Sequence, residues 1–471
     1  MKILLVNPSL IQEQVGHYNA NVEKVRGRYP SLGLFYIAAV LEKEGHTVEL
    51  IDFDIEIDPQ KRLCESLKHS KPDILGIHVM TWTFHQANKI ARLAKEITPS
   101  IIVIVGGAAV TSSPLATIKH SVFDCGVIGE GEETIVELVN AIRSGIELNG
   151  VPGIIFRKDG NIKRNEKRPF IRDLDSLPLP ARHLVDLNRY CDVFTQKQRF
   201  ATVVTSRGCP YRCIYCDREN RMGNTWRSFS NRRIIEEIIL LKELNNIDEV
   251  MFFDDEFIVN RDKVAELCDM ILEKGLDVTW ECRARVDLVD RKLLALMRKS
   301  GCYRIRFGFE SGDDGILDIL KKGITIKQSL ECARLAKEAG IEIFGYFMLG
   351  CPGETRETLE KTINLAFEIA PDFAIFSKAI LIPGSELFDW AVSENLINKD
   401  YWDIFFQGKV QNTAPAISTK GLPESEVDVF ISRANKKFYF RPGFIARRLL
   451  KIRSVSQLQR QAVMARSLLF G

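Results

Sequence analysis

Residues 206–216 read Ser-Arg-Gly-Cys-Pro-Tyr-Arg-Cys-Ile-Tyr-Cys, which places Cys209, Cys213 and Cys216 within eight residues of one another. The stretch follows a strand-like run at Ala201–Thr205, so the three thiols start from one strand end and can converge on one soft metal centre. Electron-transfer clusters are closed by four cysteines, whereas three thiolates leave one iron of a cubane open to an outside ligand. We therefore expect these three cysteines to hold a catalytic iron–sulfur cluster.

A zinc site and a disulfide framework are the alternatives for these cysteines. A zinc site usually closes with a fourth Cys or His at short spacing, and neither residue type occurs between Asp217 and Leu267. The chain has eleven cysteines, an odd number spread over a long sequence that begins with no signal-like segment. We therefore expect reduced thiols in a cytoplasmic protein, and we expect the other eight cysteines to be small core residues.

The composition is that of an ordinary globular chain. Its 471 residues suggest two or three domains, and 45% of them are hydrophobic and 27% charged. The net charge of +3, from 65 basic and 62 acidic residues, does not call for a nucleic-acid partner, and we expect none. No apolar run approaches the roughly 18–20 residues that span a bilayer.

Residues 1–150 alternate short apolar strands with amphipathic helices such as Gly33–Glu44, which predicts an α/β domain with a Rossmann-like, doubly wound parallel sheet. The predicted strands are Lys2–Asn7, Thr47–Asp52, Ile74–His78, Ile101–Val105 and Cys125–Ile128. Ligands of such sheets bind at the carboxyl ends of the strands. Polar and glycine-rich segments follow four of these ends: Asn7-Pro-Ser9, Thr81-Trp-Thr83, Gly106-Gly107 and Gly129-Glu-Gly-Glu132.

Residues 151–198 are predicted to connect this domain to a second one. Asp159-Gly160 indicates a hairpin turn, and the proline-rich segment Asp173–Pro180 cannot be a regular helix. Six strand-like runs separated by helical patterns then fill residues 199–388, which predicts a partial (β/α)6 barrel with its chemistry at the carboxyl ends of the strands. The runs are Ala201–Thr205, Glu249–Phe253, Val278–Cys282, Tyr303–Phe309, Glu342–Leu349 and Phe373–Lys378.

These features together resemble the cobalamin-binding radical S-adenosylmethionine (SAM) enzymes, and the resemblance covers nearly the whole chain. The cysteine spacing, three residues and then two, matches the family's signature for a [4Fe-4S] cluster whose open iron chelates SAM. The first domain matches the family's cobalamin-binding domain at Pro30-Ser-Leu-Gly33, Leu41-Glu-Lys-Glu-Gly-His46, Val105-Gly-Gly107 and Gly129-Glu-Gly-Glu-Glu-Thr134. The resemblance implies that an electron from the cluster cleaves SAM to a 5′-deoxyadenosyl radical.

The same resemblance assigns cobalamin contacts to the strand ends of the first domain. They are Ser9, Thr81, Gly106, Gly107, Gly129 and Glu130. The Asp-x-His-x-x-Gly motif that supplies a histidine ligand in cobalamin mutases is absent, so we expect cobalamin without a histidine ligand, and structural roles for His78 and His85. The alternative is a nucleotide-type domain that binds nothing or has lost its cofactor.

The resemblance also implies SAM contacts around the barrel mouth. Tyr215 matches the aromatic position beside the adenine, and Gly350 begins the loop Gly350-Cys-Pro-Gly-Glu354 on the same side. The remaining assignments are Asp254 and Asp255 for the amino group, Arg285 in preference to Arg283 for the carboxylate, and Glu310 and Ser311 for the ribose.

Residues 389–471 are predicted to form a helical, basic C-terminal region. From Lys436 onward there are nine Lys and Arg residues and no acidic residue, interleaved with apolar ones. A basic amphipathic helix can lie on an anionic membrane surface, which would suggest a lipid, isoprenoid or tetrapyrrole substrate. The equally ranked alternative is a helix that packs on the barrel and closes the substrate cavity.

The function that follows from the resemblance is methylation of an unactivated carbon of a small, hydrophobic substrate, with the methyl group carried by cobalamin. The resemblance also implies an external electron donor of the flavodoxin or ferredoxin type. One alternative is radical cyclisation, ring contraction or oxidation without methyl transfer. Another is a non-catalytic iron–sulfur or cobalamin-binding protein, against which the open iron argues. Methylthiotransferases need a second three-cysteine cluster, and residues 1–150 contain only Cys64 and Cys125.

Overall fold

A computed structural model describes residues 1–9, 27–217, 222–410, 415–419 and 421–445. The first sheet has seven strands in the order β2-β1-β3-β4-β5-β6-β7, of which the first five run parallel. Its strands are β1 (Lys2–Asn7), β2 (Thr47–Asp52), β3 (Ile74–His78), β4 (Ile102–Gly106), β5 (Cys125–Val127), β6 (Ile154–Lys158) and β7 (Asn161–Arg164). The predicted parallel sheet is confirmed, with strand bounds that differ by at most one residue.

Helices cover both faces of this sheet, because alternate strand residues point to opposite sides. Ile3 and Leu5 pack in one core, whereas Leu4 and Val6 pack in another. The helices are α1 (Leu32–Lys43), α2 (Pro59–His69), α3 (Phe84–Ile97), α4 (Ala108–Ser112), α5 (Pro114–Lys119) and α6 (Glu132–Ser144). The doubly wound arrangement places the loops after β1, β3, β4 and β5 at one edge of the sheet.

The predicted hairpin forms part of the first sheet. β6 pairs antiparallel with β5, and β7 pairs antiparallel with β6. Asp159 and Gly160 at the turn have φ of 51° and 78°, the left-handed pair that a tight two-residue hairpin turn requires. Two strands of the predicted connector therefore extend the first sheet.

The second sheet has six parallel strands in chain order, and its end strands, β8 and β15, do not pair with each other within the described residues. The strands are β8 (Phe200–Val203), β11 (Glu249–Phe252), β12 (Thr279–Ala284), β13 (Cys302–Glu310), β14 (Glu342–Leu349) and β15 (Phe373–Lys378). All six predicted strands are confirmed, with bounds shifted by at most two residues. A short antiparallel ribbon of β9 (Ser206–Arg207) and β10 (Arg227–Ser228) lies beyond β8.

Helices follow the barrel strands and begin at side-chain caps. Ser230, Asp290, Thr325 and Thr355 each accept a hydrogen bond from a backbone N–H of the first turn. The helices are α7 (Asn231–Asn245), α8 (Arg261–Glu273), α9 (Arg291–Lys299), α10 (Asp314–Ile319), α11 (Ile326–Glu338) and α12 (Arg356–Ile369). This is the predicted partial (β/α)6 barrel.

In the described part of the chain, three helices follow the barrel: α13 (Glu386–Ser393), α14 (Tyr401–Phe406) and α15 (Glu424–Tyr439). α15 packs on the last strand of the barrel, where the Tyr439 hydroxyl donates to the Ala374 carbonyl over 2.6 Å. Most of the basic stretch after Lys436 lies outside the described residues, so both predictions for that stretch stay untested. No described helix combines the length and the apolar character needed to cross a bilayer.

Candidate functional site

The three cysteines lie on a loop between β9 and β10, which we call the cluster loop (residues 208–217). Gly208 opens it with φ of 83°, and a side chain there would collide with the Thr225 carbonyl. The middle of the loop is anchored to the barrel, since Ile214 N donates to the Leu320 carbonyl over 3.2 Å and Leu387 N donates to the Ile214 carbonyl over 2.8 Å. The loop is therefore held at Ile214, between the second and third cysteines.

The donor set of the cluster loop is three cysteine thiols, the residue type that holds iron–sulfur clusters. Cys209, Cys213 and Cys216 are half-buried. Among the described residues, no three His, Cys, Asp or Glu side chains lie close enough together to hold a single metal ion. The cations Lys322 and Arg285 lie within electrostatic range of Cys213, so positively charged groups border the cluster loop.

Glu310, Tyr215 and Lys322 form one polar group beside the cluster loop. A single carboxylate oxygen, Glu310 Oε1, accepts from the Tyr215 hydroxyl over 3.1 Å and from Lys322 Nζ over 2.8 Å. Glu310 has φ of 61°, a left-handed conformation that costs a residue with a side chain about 1–3 kcal/mol. Burial raises the pKa of Tyr215 well above its usual value, which keeps the phenol protonated as a donor.

Lys322 and Glu256 are buried here and were not predicted. The pKa of Lys322 is raised because attraction to the Glu310 carboxylate and to Cys213 outweighs the effect of burial. Glu256 lies next to the strand-end pair Asp254-Asp255, and burial raises its pKa to about 7. Two sequence features could have indicated these residues. Lys322 lies in the Lys-Lys-Gly turn after α10, and Glu256 is the third consecutive acidic residue after β11.

The predicted pair Asp254-Asp255 divides between two environments. Asp254 is buried and accepts from the Thr205 hydroxyl over 2.7 Å and from the Ser206 hydroxyl, so it ties the end of β8 to the end of β11. Burial raises its pKa to about 6. Asp255 is exposed and lines the cavity described below. Asp255 is therefore the member of the pair with a carboxylate open to a ligand.

The two predicted arginines are both held against aromatic rings. The Arg285 guanidinium lies 3.7 Å from the ring centroid of Tyr211 on the cluster loop, and its Nε pairs with Asp287 over 3.0 Å. Its Nη1 is buried without a hydrogen-bond partner in the described structure. Arg283, two residues earlier on β12, stacks over the Phe253 ring, with 4.5 Å between the guanidinium carbon and the ring centroid. Arg285 therefore has one unused donor beside the cluster loop.

Ser311 and Gly350 contribute through their local structure. Ser311 is fully buried, and its hydroxyl lies 3.3 Å from that of Thr362. Gly350 has φ of 81°, and its N–H donates to Glu354 Oε2 over 2.5 Å, as the Cys351 N–H does over 2.8 Å. Glu354 thus closes the loop that follows β14.

A cavity of about 440 Å³ lies between the strand ends of the two sheets. Of the predicted cobalamin residues, Gly106, Gly107, Gly129 and Glu130 line it. Ser9 and Thr81 are buried and are not among the described lining residues; the Ser9 hydroxyl donates to Asp54 over 2.5 Å. The far wall belongs to the barrel side, from the ends of β8 and β11 and from β9 and the segment that joins it to β10: Val204, Ser206, Arg207, Met222, Phe253 and Asp255.

Glycines give this cavity its width. A side chain added at Gly33 or Gly129 would meet no atom within 4 Å of its Cβ, and both residues line the cavity. At Gly107, which has φ of 113°, a Cβ would lie 2.7 Å from His78 Cδ2 and 2.8 Å from the Val79 carbonyl oxygen. A large, flat group can therefore approach the backbone closely, and the lining fits a corrin or its nucleotide tail.

His78 also lines the cavity, although it was predicted to be structural. Burial lowers its pKa to about 4, so the ring is neutral. Asn7 donates its amide to Asp52 over 3.0 Å, which leaves the Asn7 carbonyl oxygen to accept from His78 Nδ1 at 3.1 Å. The Nε2 atom of His78 is then the unprotonated nitrogen. A neutral acceptor nitrogen therefore stands on the cavity wall beside Gly107.

Comparisons with known proteins match both halves of the chain. The B12 binding domain profile matches residues 18–139, and the radical SAM superfamily profile matches residues 203–366. An uncharacterized methyltransferase of Pyrococcus horikoshii is 33% identical over 96% of this chain and 97% of its own length. The anaerobic magnesium-protoporphyrin IX monomethyl ester cyclase of Rubrivivax gelatinosus is 29% identical over 82% of this chain and 69% of its own.

Among solved structures, the cobalamin-dependent SAM radical enzyme OxsB with aqua-cobalamin bound superposes with a TM-score of 0.77. The match covers 99% of this chain and 71% of that one at 20% identity. A likeness at this identity concerns the fold, and it extends over both sheets of the chain described here.

Proposed function

Because this chain belongs to the cobalamin-binding radical SAM enzymes, we propose that it methylates an unactivated carbon of a small substrate. The observation that carries the proposal is the shared cavity. One wall is the glycine-rich edge of the first sheet, and the other includes Ser206 and Arg207 of β9, the strand from which the cluster loop departs. A group bound to the first sheet would then face Asp255, which we assign to the SAM ammonium. The P. horikoshii relative, named a methyltransferase, supports this assignment.

The cofactors are a [4Fe-4S] cluster, SAM and cobalamin. When bound, the cluster supplies the electron that splits SAM, and cobalamin carries the methyl group. We assign Cys209, Cys213 and Cys216 to the cluster. Gly106, Gly107 and Gly129 would let a corrin approach the backbone, and His78 would offer it a neutral acceptor.

The chain's own contribution at the barrel mouth is to hold and orient SAM. Glu310 already accepts two hydrogen bonds through one oxygen, so its other oxygen remains for the ribose hydroxyls. Lys322 and the free Nη1 of Arg285 suit the SAM carboxylate, and the exposed Asp255 suits its ammonium. Positioning of this kind is how a protein accelerates chemistry that its cofactors perform.

We extend the proposal to a largely apolar substrate that carries an acidic group. The barrel side of the cavity has Val204, Met222 and Phe253, which suit an apolar body. Arg283 lies on the Phe253 ring, and no carboxylate of the described residues forms an ion pair with it. The interior cations Arg304, Arg306 and Lys322 do have carboxylate partners. An acidic group on the substrate would supply the partner of Arg283.

The second candidate is radical cyclisation without methyl transfer, which the similarity to the R. gelatinosus cyclase favours. An anaerobic assay with SAM labelled in its methyl group, a flavodoxin-type reductant and candidate substrates separates the two. Methylation should give S-adenosylhomocysteine and 5′-deoxyadenosine in about equal amounts, together with labelled product, because one SAM supplies the radical and a second supplies the methyl group. Cyclisation should give 5′-deoxyadenosine without S-adenosylhomocysteine or label. Cys213→Ala is the inactive control.

A further inference from the structure

Four buried charged side chains join the first sheet to the strand that leads into the cluster loop. Arg207 Nη1 lies 3.0 Å from Glu130 Oε1, and its Nη2 lies 2.5 Å from Glu132 Oε1. Arg227 lies on β10, the strand that pairs with β9, and its Nη1 lies 2.9 Å from Glu130 Oε2. We call Glu130, Glu132, Arg207 and Arg227 the Glu–Arg clamp.

The clamp is buried, and each of its four side chains has an oppositely charged partner. The side chains of Arg207, Glu130, Glu132 and Arg227 are 8%, 3%, 6% and 9% exposed. Buried charges are stable only with their partners in place, and removal of one partner leaves an uncompensated charge in the interior. The arginines are also fixed by aromatic rings, Arg207 over Tyr36 at 5.4 Å and Arg227 over Phe170 at 5.0 Å. The two sides of the clamp therefore cannot move independently without breaking ion pairs.

The clamp touches both cofactor sites. Glu130, Glu132 and Arg207 line the cavity, and Glu130 and Glu132 flank Gly131 at the start of α6. Arg207 stands two residues before Cys209, and Gly208 between them is packed so closely that it has no room for a side chain. Arg227 also donates to the Met222 carbonyl over 3.0 Å, next to Gly223, whose carbonyl accepts from Cys209 N over 3.4 Å.

A second contact ties the other end of the cluster loop to the first domain. The Ser112 hydroxyl, at the end of α4, donates to Asp217 Oδ2 over 3.1 Å. Asp217 follows Cys216 directly, and Thr111, the neighbour of Ser112, lines the cavity. Both ends of the cluster loop are thus attached to residues that border the cavity.

We propose that the Glu–Arg clamp and the Ser112–Asp217 contact couple the two sites, so that cobalamin in the cavity strengthens cluster binding and the cluster strengthens cobalamin binding by the same factor. This rests on both cofactors binding as proposed above. Coupling of this kind is reciprocal by thermodynamic necessity. Arg207, Glu132 and Arg227 are then positioning residues, which act through the cluster loop and the cavity wall.

The test is the dissociation constant of hydroxocobalamin, measured anaerobically on the full chain with and without a reconstituted cluster. In the wild type we expect the cluster to tighten cobalamin binding about 5-fold or more. Glu132→Gln keeps the size of the side chain and removes its charge, whereas Arg207→Lys keeps the charge and cannot bridge both carboxylates. In both variants the ratio should fall to about one while each cofactor still binds. The control is Glu133→Gln, the exposed neighbour of Glu132, which should keep the wild-type ratio.

Ser112→Ala removes the second contact and should lower the ratio part of the way towards one. It tests the proposal if the clamp variants do not fold. The proposal is overturned if the wild-type ratio is about one, or if the clamp variants or Ser112→Ala keep the wild-type ratio. Failure of cobalamin to bind at all would instead refute the proposed function. No substrate or turnover enters the measurement, so the two failures are distinguishable.

Discussion

The Tyr215 hydroxyl donates a hydrogen bond to the Glu310 carboxylate, with 3.1 Å between the two oxygens. Tyr215 stands between the second and third cysteines of the cluster loop, and Glu310 ends β13 in a left-handed conformation. The contact therefore fixes the cluster loop to a strained residue at the barrel mouth before any ligand binds. Strain at such a position persists only where the surroundings hold it, and it tends to mark functional sites.

We predict that Glu310→Gln weakens SAM binding about tenfold or more, because a hydrogen bond to a charged group contributes about 1.5–3 kcal/mol. The substitution also removes the carboxylate partner of Lys322. Equilibrium dialysis of SAM against the reconstituted protein measures the change. Glu386→Gln is the matched control, since Glu386 pairs with the adjacent Lys321 on the surface. Unchanged SAM affinity in Glu310→Gln would remove Glu310 from the site.

Each of Cys209→Ala, Cys213→Ala and Cys216→Ala should abolish the cluster and SAM cleavage. Three thiolates are the minimum set here, and coordination itself holds them deprotonated. Iron content and 5′-deoxyadenosine formation are the measurements. Cys191→Ala changes an exposed cysteine outside the cluster loop and should retain both. A cluster-loop variant that kept full iron and SAM cleavage would exclude that cysteine as a ligand.

Gly33→Leu should block cobalamin without unfolding the protein. Gly33 lines the cavity, its Cβ direction is open and its φ lies outside the left-handed region, so the added side chain would fill cavity space at little cost to stability. We expect cobalamin affinity to fall at least about tenfold, the equivalent of about 1.4 kcal/mol. The control is Gly150→Leu, at a glycine outside the cavity where an added side chain also meets no atom, and this variant should bind cobalamin normally. Equal affinities would place cobalamin elsewhere.

Stability should fall as the pH rises from about 5 to 7. Burial raises the pKa of Glu249 from 4.5 to about 7. In this interval the folded protein keeps a proton that the unfolded chain releases, so the free energy of unfolding drops by up to about 1.4 kcal/mol per pH unit for this one group. Glu249→Gln removes the titration and should flatten the dependence, whereas the surface variant Glu243→Gln should not. Denaturant titrations of the cofactor-free protein measure both slopes, and identical slopes in wild type and Glu249→Gln would contradict the account.

The sequence was sufficient to predict the strands of both sheets because these strands are apolar runs bounded by glycine, proline or polar residues. Both faces of the first sheet are covered, so its strands read as continuous apolar stretches such as Ile74–Ile77, which are easy to recognise. The hairpin turn was also predictable, but its pairing with β5 was not. Which sheet a hairpin joins depends on partners distant in the chain.

The sequence predicted which strand ends form the candidate site, but it predicted less well which side chains point into it. Ser9 and Thr81 follow strands as expected, yet they turn into the core, because the loop conformation decides which residue faces the cavity. Lys322 and the Glu–Arg clamp were missed for another reason. Arg207 and Glu132 are 75 residues apart, and no local pattern encodes such a pairing. The roles assigned to individual site residues stay predictions until they are tested.

The central claim is that one chain holds both an iron–sulfur cluster on three cysteines and a cobalamin in the adjoining cavity. The most direct test is anaerobic purification of the full chain with cobalamin supplied, followed by iron, sulfide and cobalt analysis. We predict about four irons, about four sulfides and about one cobalt per chain. Zinc in place of iron, or iron without any cobalt, would contradict the claim.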